Sequence, residues 1–273
     1  MRIMSLRRKS IIRSCKQACF FTLLLPCAGI LAQPSPPSGP AREIAPIEVT
    51  GNWVSVLTED YRWRVVVPPK GDYTSIPLNE AGRREADTWN PEQDRANGDQ
   101  CKAYGAANIM RIPGRVRISW EGDETLVIET DKGMQRRELH FSDGAMPGEP
   151  ALQGFSQANW ERSISSRGFF PANYLTHLQV VTTELTPGYL RLNGVPYSEN
   201  AIITEHFTLS EGFGGEWLTI TTIVEDPQFL TEPFVTSTDF RREANDELWN
   251  PEPCMSAWGP LRERKAGSNS IRL

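Results

Sequence analysis

The chain has 273 residues, of which 39% are hydrophobic and 23% charged, and its 29 Lys and Arg against 34 Asp and Glu leave a net charge of −5 with a pI near 5.4. An acidic chain lacks the basic face that a nucleic-acid partner needs.

The first 32 residues read as a signal peptide: Arg2, Arg7, Arg8, Lys9, Arg13 and Lys16 precede an apolar run from Ala18 to Ala32. That run is about 15 residues long and contains Pro26, short of the roughly 20 needed to cross a bilayer. Export to the periplasm or the medium, without stable membrane insertion once the leader is removed, is the expectation; an uncleaved N-terminal anchor is the alternative. Cys27 invites a lipoprotein reading, but Pro26 stands where a lipidated Cys wants a small neighbour. Residues 33–43 form a Pro/Ser-rich linker with nothing to bury. A single domain over 44–258 and a polar tail over 259–273 follow.

Cys15, Cys19 and Cys27 leave with the leader, so the exported chain keeps Cys101 and Cys254. In an oxidising compartment two cysteines most simply pair. Each follows a Trp-Asn-Pro, at Trp89 to Pro91 and Trp249 to Pro251, which suggests two similar turns brought side by side.

Residues 47–56 and 61–67 read as the first strands, the former containing Gly51-Asn52-Trp53, a Gly-x-Trp of the form found on the first strand of lipocalins. The run from Pro77 to Trp89 reads as a helix, capped by Asn79, with Leu78, Gly82, Ala86 and Trp89 on one stripe. The oxygen-rich stretch 89–101 does not match the spacing of a calcium loop, and Asn97-Gly98 reads as a turn. Three alternating runs, RVRISW, ETLVIET and QRRELHF, are separated by short turns and imply antiparallel pairing. Gln153 to Trp160 and His177 to Leu185 repeat the scheme faintly. Gly194 to Phe240 reads as a β-meander in which Ile203, Glu205, Phe207 and Leu209 share one face.

The sequence resembles a large group of exported bacterial proteins of unassigned function. The matching residues are Leu78 to Arg83, the Trp-Asn-Pro before Cys101, Ile109 to Pro113, Gly154 to Ser156 with Trp160-Glu161, Val180 to Thr183, Gly194 to Glu199, Thr204 to Phe207, and Glu225 to Pro227 with Thr231 to Pro233. Tyr197 and the Arg162-Ser163 pair depart from the group's pattern, which often has His at the first place and Gly-Asp at the second. The resemblance implies a lipocalin-like closed sheet and export, and brings no reaction with it.

No catalytic residue, metal set or cofactor signature emerges. Gly154-Phe155-Ser156-Gln157-Ala158 falls short of a nucleophile turn, because it ends in Ala and no helix follows. His140, His177 and His206 lack metal-ligand spacing. What stands out is charge in half-buried strands: Glu205 beside Ile203 and Phe207, and Glu225 ending the alternation Trp217, Thr219, Thr221, Ile223. With that face turned inward, each carboxylate needs a partner, and Arg111 is the candidate counter-ion; turned outward, both are ordinary exposed charges.

The fold expectation is all-β: an antiparallel, lipocalin-like barrel of about eight to ten strands with one short helix, a β-sandwich being the alternative. The functional expectation is a small, partly apolar ligand in the barrel, walled by Trp63, Trp120 and Trp217 and oriented by Arg111, Glu205 and Glu225. An enzyme using carboxylates in the same cavity, or an envelope-assembly protein with a filled barrel, are the alternatives. The sequence carries no indication of oligomeric state.

Overall fold

The computed structural model describes residues 39–165, 173–212 and 214–255. The expected leader, the start of the linker and the polar tail lie outside the described residues. The strands are β1 Gly51–Val56, β2 Arg115–Glu121, β3 Thr125–Thr130, β4 Arg136–His140, β5 Phe155–Ser165, β6 Asn173–Thr183, β7 Gly188–Arg191, β8 Val195–Tyr197, β9 Ile202–Gly212, β10 Gly215–Glu225 and β11 Phe234–Glu243. Nine of them close into a barrel in the order β1-β11-β10-β9-β6-β5-β4-β3-β2, with β2 pairing back onto β1; β7 and β8 form a separate hairpin. The expected barrel is therefore the fold, and the sandwich is not.

An odd ring cannot alternate direction all the way round, so one neighbouring pair must be parallel. It falls between β4 and β5, which share only the pairs Leu139–Ser156 and His140–Gln157. A parallel pair needs a long return, supplied here by residues 141–154 running back to the start of β5. Everywhere else the neighbours are antiparallel, and most barrel strands bury alternate side chains: Ile203, Glu205 and Phe207 of β9 point inward while Ile202 is exposed. Trp53, Leu126, Leu178, Val180, Phe207 and Leu218 are each 0% exposed. A side chain bordering a water-sized void would keep accessible surface, so the middle of the barrel is filled by its own side chains.

One barrel end is covered by a cap. It consists of α1 (Tyr61–Arg64), α2 (Glu80–Thr88), α3 (Pro91–Asn97), two 3-10 turns at Lys102–Tyr104 and Ile109–Arg111, and the β7–β8 hairpin. A second apolar cluster, including Leu78, Ala86, Leu190, Tyr197, Ile203 and Val224, glues this cap to the strands. α2 forms where the sequence predicts it: the Asn79 side chain accepts from Gly82 N at 2.9 Å, and Gly82 and Ala86 are buried. Gly194, at φ 77, lets the hairpin approach Trp89 so closely that a Cβ would sit 1.9 Å from its ring.

Three expectations are corrected. Residues 61–67 are not a strand: Tyr61–Arg64 is one helical turn, and Pro68-Pro69 remove the donors a ladder would need. Stretch 89–101 is largely α3, begun by Asn90, whose side chain accepts from Glu92 N and Gln93 N, and ended by Gly98 at φ 81. The two Trp-Asn-Pro segments are not alike, since Pro91 opens a helix whereas Pro251 is followed by Glu252-Pro253 and stays non-helical. Among the described residues no helix is long and apolar enough to cross a membrane.

Cys101 and Cys254 are bonded, with Cα atoms 5.0 Å apart and 153 residues between them in sequence, so the cap is tied to the segment after the last strand. Closing so long a loop restricts the unfolded chain, and reduction should lower stability by about 2–5 kcal/mol in urea unfolding. Coincident oxidised and reduced curves would show that the bond is not a staple.

Candidate functional site

The residues nominated from sequence do not converge on one cavity. Glu205 is inward and fully buried, as one of the two parity readings has it, but its partner is Arg137 of β4. The Arg137 Nη2 donates to Glu205 Oε2 at 2.6 Å and Nη1 to Oε1 at 3.2 Å, a two-point fork, and Nη2 also reaches Thr182 Oγ1 at 3.4 Å. Thr182 in turn shares a 2.8 Å hydrogen bond with Ser156. Ser156 is thus a buried strand residue in a structural network. Arg137 was legible in principle: it shares strand parity with Leu139, and an arginine on an apolar face requires a carboxylate.

Trp217 and Glu225 lie on the outer face, which corrects the inward placement. Gly212 pairs with Gly215 at the head of the hairpin, so Glu205 stands opposite Thr222, and Leu218, Ile220, Thr222 and Val224 become the inward set of β10. Glu225 is exposed, and Trp217 donates from Nε1 to Gly212 O and lies against the Arg241 guanidinium. Trp120 packs instead with Phe141 and Trp160, ring centroids 5.4 and 6.4 Å away, at the barrel end opposite the cap. There Trp160 Nε1 donates to Ala41 O, so residues just after the linker close that end. His177 and His206 come together on the outer face, centroids 5.1 Å apart. Burial and the neighbouring ring lower the His206 pKa. Among the described residues no group of three His, Cys, Asp or Glu could hold a metal.

Trp63 and Arg111 do meet, in the cap. With Arg64, Asn108, Ile112, Arg191 and Leu192 they line a cavity of about 10 Å³, enough for one water-sized atom. Arg64, Arg111 and Arg191 are 3%, 3% and 2% exposed. Arg111 Nη2 donates to Asp60 at 2.7 Å, and Arg64 donates from Nε to Arg111 O at 2.9 Å and from Nη1 to Glu59. Asp60 precedes α1 in the left-handed region, φ 52 and ψ 26, a conformation Asp tolerates better than most residues. These ion pairs explain why 61–64 coils against its β-rich composition: the charges of Glu59, Asp60 and Arg64 are fixed by the cap, and local propensity yields to them.

Arg191, at the end of β7, differs from its neighbours. Among the described residues no carboxylate forms an ion pair with it; its guanidinium lies 4.7 Å from the centre of the Trp63 ring, and its Nε and Nη1 are buried without a hydrogen-bond partner. Burial, with Arg111 adding repulsion, lowers its pKa to about 10. Arg64 Nη2 and Arg111 Nη1 are likewise buried and unsatisfied. Burial is also the main cause of the lowered Arg64 pKa. A wider groove of about 520 Å³ runs beside the parallel β4–β5 pair, but its lining of Arg136, Glu138, His140 and Glu149 mixes charges without aiming them at one point. Nothing in the sequence around Arg191, GYLRLNG, separates it from an exposed turn arginine.

Compared with family models, curated proteins and solved structures, the chain matches none.

Removing one member of the barrel pair leaves the other charge buried alone. Arg137→Met should cost about 3–5 kcal/mol in urea unfolding, and adding Glu205→Leu should recover most of it. A double variant as unstable as the single one would mean the pair is itself strongly stabilising.

Proposed function

We propose that this is an exported, non-catalytic binding protein that takes a small ligand at the cap pocket of Trp63, Arg64, Arg111 and Arg191, with the barrel as its rigid support. The supporting observation is Arg191, a buried guanidinium that faces a cavity with donors left unused. The contact with the Trp63 ring offsets only part of the cost of burying this charge without a carboxylate partner. The filled barrel middle moves the ligand from the lumen to the cap. Export rests on the leader and on the Cys101–Cys254 bond, and membership of the exported group rests on the resemblance of residues 78–254. No nucleophile, metal set or paired catalytic carboxylates accompany the pocket, so the reading is binding rather than turnover.

The filled interior also favours a second reading, a structural envelope protein that holds no ligand. The two separate on Arg191→Met. If Arg191 is kept for a ligand, the variant without ligand should be as stable as the parent or more so, by about 1–3 kcal/mol, since a buried charge gives way to an apolar chain. Native mass spectrometry of protein purified from its own host should show a bound small molecule that Arg191→Met loses and Trp120→Leu keeps. A species retained by Arg191→Met would place the ligand elsewhere, and an empty parent destabilised by the substitution would leave the structural reading.

A further inference from the structure

Resting on the cap pocket as the binding site, we infer that its ligand is a monoanionic carboxylic acid, whose carboxylate is taken by the Arg191 guanidinium beside Arg64 and Arg111 and whose apolar remainder lies along Trp63. Charge fixes the first part. Arg62, Arg64, Arg111 and Arg191 face Glu59, Asp60 and Asp72, four positive against three negative groups. Three of the four are accounted for by ion pairs, Arg62 with Asp72, Arg64 with Glu59 and Arg111 with Asp60. One positive charge, that of Arg191, is left over, and it is buried. A single negative charge balances the cluster, whereas a dianion would overshoot it inside a poorly screened pocket.

Donor geometry fixes the second part. The unused donors are Arg191 Nε and Nη1 with Arg64 Nη2, Arg111 Nη1 and Trp63 Nε1. The cavity admits one oxygen-sized atom, so the head group enters by one carboxylate oxygen, which takes charge-assisted bonds from the guanidinium donors, and its carbon chain stays outside. Trp63 lines the cavity, half-buried, on a helical turn whose Tyr61 is 62% exposed. Its indole face offers apolar contact to an aryl or alkyl group, and its Nε1 is a further donor without a partner.

The test uses the full exported chain in chloride-free buffer, titrated calorimetrically with phenylacetate, acetate, 2-phenylethanol, inorganic phosphate and sodium chloride. Phenylacetate should bind about tenfold or more tightly than 2-phenylethanol and phosphate, because a site built for a charged partner rejects the neutral analogue. Arg191→Met should lose about tenfold or more for phenylacetate. Trp63→Leu, at a half-exposed position that tolerates change, should weaken phenylacetate severalfold and leave acetate unaltered, which keeps the claim testable should Arg191→Met fail to fold. Equal binding of the neutral alcohol overturns the charge assignment and leaves the pocket reading intact. Chloride binding without carboxylate binding overturns the ligand class, making the pocket a halide site. Absence of binding by every probe, or phenylacetate binding unchanged in a folded Arg191→Met, overturns inference and pocket together.

Discussion

A closed ring of nine strands must contain one parallel seam, and much of this molecule is arranged around that constraint. The seam has only two paired positions, Leu139–Ser156 and His140–Gln157, where the neighbouring β5–β6 ladder is paired along its whole length. Arg137 lies at the start of β4, just outside the paired stretch. Its side chain passes β5 to reach Thr182 on β6 and Glu205 on β9, so one guanidinium ties together strands that the backbone ladder holds weakly. A buried ion pair is a poor source of net stability, since desolvating two charges offsets most of their attraction. Its value here is geometric: Arg137 and Glu205 can satisfy each other only when β4 and β9 are in register across the seam.

The two buried arginine systems differ in the way that matters for function. In the barrel, the forked contact to Glu205 and the Thr182–Ser156 link absorb most of the polar capacity, leaving Arg137 Nε without a partner. In the cap, donors outnumber acceptors and a small opening lies between them. The first arrangement has its charge neutralised by a carboxylate of its own. The second carries a cost that folding alone has no reason to retain, and backbone elements from three separate segments, 60–64, 108–112 and 191–193, have been brought together to carry it. Asn193 donates to Pro69 O and Asp72 O, both at 3.1 Å, which holds the hairpin turn against the segment after α1. The pocket wall is therefore braced independently of whatever occupies it.

The barrel was legible because period-two burial recurs in nearly every strand and the turns between them are short. The α2 helix was legible from Asn79 and its small-residue stripe. Face parity was the weak point: β10 carries apolar residues on both sides, Trp217 and Ile223 against Leu218, Ile220 and Val224, and only the register with β9 decides between them. Trp63 and Arg111 were brought forward for a barrel interior that they do not enter; they line the cap cavity instead. Arg64 hid inside an apparent strand, and Arg191 in a stretch to which the sequence reading assigned no element. Such residues gain their meaning from tertiary neighbours that no local pattern encodes, which is why the cap was harder to read than the sheet.

Placing the pocket in the cap rather than in the lumen has a physical consequence for how it can respond to a ligand. The barrel middle is close-packed, and opening it would expose residues such as Phe207 and Leu218 that are wholly buried. The α1 turn is four residues long, and its Tyr61 is exposed. Of the ion pairs around it, those of Arg64 with Glu59 and Arg111 with Asp60 have guanidinium side chains only 1% and 3% exposed, so breaking them strands a buried charge. The Arg62–Asp72 pair, with its guanidinium 71% exposed, costs little to open. The disulfide from Cys101 anchors the cap to the segment after the last strand, and within that frame α1 carries both the aromatic face and one of the arginines.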